Sequence, residues 1–200
     1  MITDNAVRGT EERDRLDIGI LLWLQEHVRG EILDPVMKFI TSLGDIGLGW
    51  IVIGACFVVQ KKYRTTGLLI WAALLLEWLL VDGVIKNLVM RTRPFNADPR
   101  LLSLIEPPGS WSFPSGHSGS SFAAAAVMCL RLPKKFALPG AVLAVLIAFS
   151  RLYVGVHYPT DVLAGALVGT AVGWLCCKAA EHAERRRADV RKSKAEGERH

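Results

Sequence analysis

Apolar residues fall along this chain in long blocks separated by short polar turns, the pattern of membrane-crossing helices rather than of a water-facing surface. The first fifteen residues are polar, carry both charge signs and are expected to fray. They hold no early apolar core or small-residue cleavage site, so no signal peptide is expected. Residues 16–28 are apolar but too short to span comfortably. Residues 32–43 place apolar side chains at Ile32, Leu33, Val36, Met37, Phe39, Ile40 and Leu43, a helical stripe with polar gaps. Both segments are predicted as helices lying in the membrane interface or packed on a bundle, the alternative being a single span made from part of this region.

Five spans are predicted after them, over 46–60, 68–88, 117–132, 136–149 and 162–177. Some are short for a bilayer, but their Gly and Ala content allows close helix packing and partly buried ends. Glu77, Asp82 and Lys86 interrupt the second span and should face the bundle interior or a wet cavity. Asp82 and Lys86, four apart, are expected to pair. Glu77 is expected to have a structural partner rather than a catalytic role. The longest polar segment, 90–113, separates the second span from the third, and the tail from Lys178 is charged throughout. That tail should continue briefly as helix and then become disordered. The chain thus divides into a polar segment with interfacial helices over 1–45, a transmembrane domain over 46–177 and a charged cytoplasmic tail over 178–200. The fold class is an all-α polytopic transmembrane helical bundle.

Composition changes little in this picture. Hydrophobic residues make up 51% of the chain, yet the mean hydropathy is only +0.30, because both charged termini dilute the spans. Cys56, Cys129, Cys176 and Cys177 all lie in apolar runs, without histidines at ligand-like spacing. Neither a disulfide framework nor a zinc site is expected, and the adjacent Cys176 and Cys177 read as buried small hydrophobes in preference to an acylation site. The net charge of +5 comes largely from loops and tail, where it suits an anionic membrane surface. The basic-aromatic interleaving of a nucleic-acid reader is missing.

Charge also gives a topology. Lys61, Lys62 and Arg64, then Arg131, Lys134 and Lys135, then the tail, fall on one side if five spans are counted from Ile46. The positive-inside rule makes that side cytoplasmic. The 90–113 segment, the sequence Pro114-Ser115-Gly116-His117 and His157 then share the outer face. Arg91, Arg93 and Arg100 stand on the wrong side for the rule; lipid-headgroup snorkelling is the expected role of Arg91 and Arg100.

Three polar clusters meet on that outer face. Lys86 and Arg93 offer an ammonium and a planar guanidinium fork, an arrangement suited to a phosphate oxyanion. Ser115, Gly116 and His117 open the third span, where free N–H groups bind anions and glycine permits close backbone approach; the bland alternative is a serine cap. Arg151, His157 and Asp161 form the third cluster. Pro159 suits a first helical position, so Asp161 in the first turn could reach back to the imidazole of His157 and fix its tautomer. The alternative there is an Arg151–Asp161 ion pair joining two helices.

With Lys86…Arg93-Pro94, Pro114–His117 and Ser150-Arg151…His157…Asp161 at full spacing, the chain resembles the phosphatidic acid phosphatase type 2 superfamily of membrane lipid phosphatases. Soluble acid phosphatases and vanadium haloperoxidases share it. The resemblance covers roughly 46–177; bacterial members often begin with an additional spanning helix, where this chain has only the short 16–28 run. It implies an acid phosphatase/vanadium haloperoxidase-like core in which Lys86, Arg93, Arg151, Ser115 and Gly116 hold phosphoryl oxygens. It further implies that His157 attacks phosphorus and forms a phosphohistidine, that Asp161 orients it, and that His117 is the general acid. No metal and no cofactor are implied. The implied partners are the bilayer and a lipid phosphate, with undecaprenyl diphosphate ahead of phosphatidate-type lipids, and no nucleic acid; a homodimer is left open. Glu106 would stand against a bulky anionic headgroup. Three rivals use the same residues differently. A rhomboid-like protease would employ Ser118 of Gly116-His117-Ser118-Gly119 with His157 as base, but leaves three cations without a role. A haloperoxidase would hold vanadate, and a non-catalytic lipid-binding protein would use none of the chemistry.

Overall fold

The computed structural model describes residues 2–197, and among them every regular element is helical. The helices are α1 (Ile2–His27), α2 (Leu33–Ser42), α3 (Leu48–Val58), α4 (Arg64–Leu80), α5 (Lys86–Val89), α6 (Pro94–Ala97), α7 (Gly116–Arg131), α8 (Lys134–Tyr153) and α9 (Pro159–Gly197). A π-helical turn, Val81–Ile85, links α4 to α5. The runs Arg64–Ala97, Lys134–Tyr153 and Pro159–Arg191 are each long and apolar enough to cross a membrane.

The first expected span forms differently. α3 has only 11 residues, about 16 Å at the helical rise, and reaches spanning length only with α2, to which it is bent by 53°. Left-handed backbone at Ile46 and Gly47 breaks the pair. The 16–28 run is likewise no separate element but the second half of the 26-residue α1, whose Leu21 and Leu24 are buried. The tail continues α9 as far as Gly197.

α7 occupies the centre, against α4, α8 and α9. Its small residues Ser118, Gly119, Ser120, Ser121, Ala123 and Ala124 let neighbouring backbones come close, the way membrane helices associate when lipid is as apolar as their side chains. α9 answers with Gly165, Gly169 and Gly173, one per turn; a Cβ on any of them would collide with a backbone carbonyl oxygen of Ser115, Gly119 or Ala123. Trp50, Ile70, Val127 and Ile147 fill the core around α7, where the Trp50 indole N–H donates to Ser121 Oγ at 2.9 Å. Leu79, Leu138, Leu163 and Leu167 face outward as lipid-type surface.

One end of the bundle gathers the start of α7, the end of α8, the start of α9 and the 90–113 segment. Arg29 fastens this end by donating to the carbonyl oxygens of Tyr153 (2.9 Å) and Leu102 (2.8 Å). Gly155 lies between them at φ +78°, where any side chain would be strained and would strike Arg29. At the other end Arg131 pairs with Glu184 of the tail at 2.7 Å.

Candidate active site

The turn after α8 buries His157 between two opposing charges. Nη1 of Arg93 lies 3.3 Å from Nε2 of His157, and a guanidinium only donates, so Nε2 presents its lone pair to that cation. The ring proton of neutral His157 is then on Nδ1, which faces Oδ2 of Asp161 at 3.5 Å, an ion-pair distance rather than a hydrogen bond. Complete burial, reinforced by Arg93 and Arg151 against the opposing Asp161, pushes the His157 pKa from 6.5 down to about 3. The imidazole is therefore neutral, with the lone pair of Nε2 turned to Arg93.

Asp161 is fully buried and anchored on both oxygens. Oδ2 accepts from Ser112 Oγ (2.5 Å) and from the Tyr158 N–H (3.0 Å), and Oδ1 accepts from Arg91 Nη1 (2.7 Å). α9 begins at Pro159, as a ring-locked φ favours, which sets this carboxylate in its first turn. Arg91 is the main surprise of the site. It does not snorkel: besides Asp161 it meets Asp17 (2.9 Å) and Asp14 (2.7 Å) of α1, and its guanidinium covers the Tyr158 ring at 3.9 Å. Asp17, itself buried, also accepts from the Thr160 hydroxyl and N–H, so α1 caps the start of α9. Arg100 stays local, on Asp98.

The other cations converge on the same cavity. Arg93 is fixed by the carbonyl oxygens of Ser110 (2.7 Å) and Val156 (2.8 Å). Arg151 donates to Thr41 Oγ1 at 2.5 Å, while its buried Nε has no hydrogen-bond partner among the described residues. It makes no pair with Asp161. Lys86 pairs with Asp82 at 2.5 Å as expected, and both lie within 4 Å of where a Cβ on Gly116 would be. The N–H groups of Gly116 and His117 belong to the first turn of α7 and need acceptors from outside the helix. Ser115 is the N-cap: its buried hydroxyl accepts from the Ser118 N–H (3.4 Å) and Oγ (3.1 Å), turned into the helix start instead of lining the cavity. His117 Nε2 meets Oδ1 of Asp45 at 2.9 Å, a partner absent from every motif.

Lys86, Arg93, Arg151, His117, His157 and Gly116 form the polar pole of a cavity of about 1040 Å³, whose remaining wall includes Ile46, Ile51, Trp71, Leu74, Leu75 and Trp78. Glu106 lines its rim, and Glu77 its depth. Glu77 lacks the expected structural partner: it is buried against Gly119, and Oε1 has none among the described residues. No group of three or more His, Cys, Asp or Glu is placed to hold a metal ion among the described residues.

Cations, a helix start and two histidines at the end of a membrane bundle are the build of a membrane phosphatase. The chain belongs to the PAP2 superfamily, whose family model matches residues 65–185. It is 34% identical over 145 residues to the undecaprenyl-diphosphatase of Sulfolobus acidocaldarius, covering 72% of this chain and 68% of that one. The crystal structure of a transmembrane PAP2-type phosphatidylglycerolphosphate phosphatase from Bacillus subtilis superposes with a TM-score of 0.69 at 31% identity, covering 89% of this chain and 88% of that one. A bacterial vanadium-dependent iodoperoxidase shares the fold, at TM-score 0.66, 18% identity and coverage of 81% and 48%.

Proposed function

We propose that this membrane phosphatase removes phosphate from a lipid phosphate or diphosphate through a phosphohistidine on His157, on the outer face of the membrane. One observation carries the reading: the nucleophile-ready Nε2 of a neutral, buried His157 lies beside Arg93 at the polar pole of a cavity with an apolar wall. The polar pole suits a phosphoryl group, and the wall of Trp71, Leu74 and Trp78 suits a lipid chain. The names of the relatives support the substrate class, with a polyprenyl diphosphate first and a phosphatidate-type lipid second.

In this reading Lys86, Arg93, Arg151 and the N–H groups of Gly116 and His117 hold the phosphoryl oxygens, with Ser115 capping the helix start that presents them. The Nε2 lone pair of His157 attacks phosphorus, and the bond from phosphorus to the leaving oxygen breaks in line. That oxygen takes its proton from His117. The positive charge gained by the His157 ring is met by Asp161, the 3.5 Å gap closing as Nδ1–H becomes an imidazolium donor. Water then attacks the phosphohistidine, giving its proton to His117; the Nε2–P bond breaks and inorganic phosphate leaves. The protease alternative has less support, because Ser118 is fully buried and bonded to Ser115, away from the cavity wall.

The test is phosphate release from a panel of lipid phosphates in detergent micelles, together with quenching in alkaline SDS of enzyme exposed to ³²P-labelled substrate. The expected result is an acid-labile, base-stable phosphoenzyme that vanishes, with turnover, in His157→Ala. Undiminished phosphate release by His157→Ala would overturn the proposal.

A further inference from the structure

The turn between α2 and α3 lies outside the matched family region and outside all three motifs, yet it touches the machinery twice. Oδ1 of Asp45 sits 2.9 Å from His117 Nε2, and Gly44 backs the same edge of the ring so closely that a Cβ there would meet His117 Cδ2 at 2.5 Å. One helix turn earlier, Thr41 accepts from Arg151. We infer that Asp45 is a positioning residue for the proton-transfer step: it holds His117 by Nε2–H and leaves Nδ1 as the nitrogen that gives a proton to the leaving oxygen. The inference rests on the role proposed above for His117.

The cations around His117 are Arg151 from α8 and Lys86 from α5, and a general acid in such company tends to lose its proton before it is needed. The carboxylates facing it are Asp45 from the α2–α3 turn, Asp82 beside Lys86 and, deeper, Glu77 beside Gly119. Asp82 is committed to Lys86, and Glu77 lies against Gly119 at the depth of the cavity. Asp45 alone of the three makes direct contact with the imidazole. A carboxylate on one ring nitrogen both fixes the tautomer and stabilises the imidazolium, the state that can protonate an alkoxide. His157 with Asp161 and His117 with Asp45 are thus two histidine–carboxylate pairs, one set for attack and one for proton transfer.

Leaving-group dependence separates this role from a structural one. An alkyl phosphate expels a strongly basic alkoxide and needs an acid; 4-nitrophenyl phosphate expels a weakly basic phenolate and does not. The experiment follows the first turnover of dodecyl phosphate and of 4-nitrophenyl phosphate by wild type, Asp45→Asn and Asp45→Glu, each checked for an unchanged melting temperature. The Asp45 side chain is 60% exposed, so its amide replacement is compatible with the fold. In Asp45→Asn the dodecanol burst should slow about ten- to hundredfold, a share of the roughly 10²–10⁴-fold that general acids supply, while the nitrophenol burst is nearly unchanged. Asp45→Glu should recover part of the loss. Equal slowing of both substrates, or of neither, overturns the inference. Undiminished turnover of both substrates by His157→Ala overturns instead the phosphohistidine reading on which it stands.

Discussion

His157 shows how burial can make a nucleophile. An exposed histidine is about half protonated near its ordinary pKa of 6.5, and a protonated Nε2 has no lone pair. Here burial and two arginines disfavour the cation, and the Asp161 carboxylate offsets them only in part. The sign follows directly: a lowered pKa keeps the ring neutral as pH falls through 6.5, and protonation waits until about 3. In protein labelled with ¹⁵N-histidine, the Nε2 resonance of His157, assigned by its loss in His157→Ala, is expected to hold its neutral position through mildly acid pH. Titration of that resonance near 6.5 would contradict the buried placement. Asp161 is held at the same time by Ser112, Tyr158 and Arg91, so it can orient the ring without rotating toward the arginines.

At the scale of elements, the site depends on how closely α9 approaches α7, since one carries Asp161 and the other His117. Gly169→Ala would drive a Cβ into the Gly119 carbonyl oxygen, backbone that cannot step aside. It is expected to cost about 1–3 kcal/mol, seen as a lower melting temperature in detergent. Gly19→Ala is the contrasting case: nothing lies within 4 Å of its Cβ position in the exposed middle of α1, so it should gain about 0.5–1 kcal/mol from helix propensity. A Gly169→Ala protein melting like wild type would remove close backbone contact as the basis of this packing. Such local patterns are what a linear sequence records well. The turns of α9 and α7, the Asp82–Lys86 pair four residues apart and the cluster around His157 were legible because spacing along a helix fixes neighbourhood. The partners that escaped are distant in sequence. Asp17 and Arg91 are 74 residues apart, and Asp45 and His117 are 72 apart, joined only when α1 and the α2–α3 turn fold over the site. The bend that shortens α3 was equally hidden, because nothing about isoleucine signals a positive φ at Ile46.

At the scale of the whole molecule, the two ends of the bundle hold their positive charge differently. Four arginines at the site end are engaged within the protein: Arg29 on carbonyl oxygens, Arg91 on three aspartates, Arg93 on Ser110 and Val156, Arg100 on Asp98. Lys61, Lys62, Lys134 and Lys135 at the opposite end are exposed, and the tail adds Arg185, Arg186 and Arg187. This accounts for arginines that looked misplaced by the positive-inside rule: a cation already paired to internal anions and carbonyls is a weak topological signal, and solvated lysines are a strong one. The basic end is then expected in the cytoplasm and the site outside. Two single-cysteine proteins check this, Gly109→Cys in the open 90–113 segment and Ser193→Cys in α9, each with Cys56, Cys129, Cys176 and Cys177 changed to alanine. A membrane-impermeant maleimide added to intact cells, in which the outer side is reachable, should label Gly109→Cys at once and Ser193→Cys only after permeabilisation. The reverse pattern would put the cavity on the cytoplasmic side, and the substrate would then have to be a lipid phosphate of the inner leaflet.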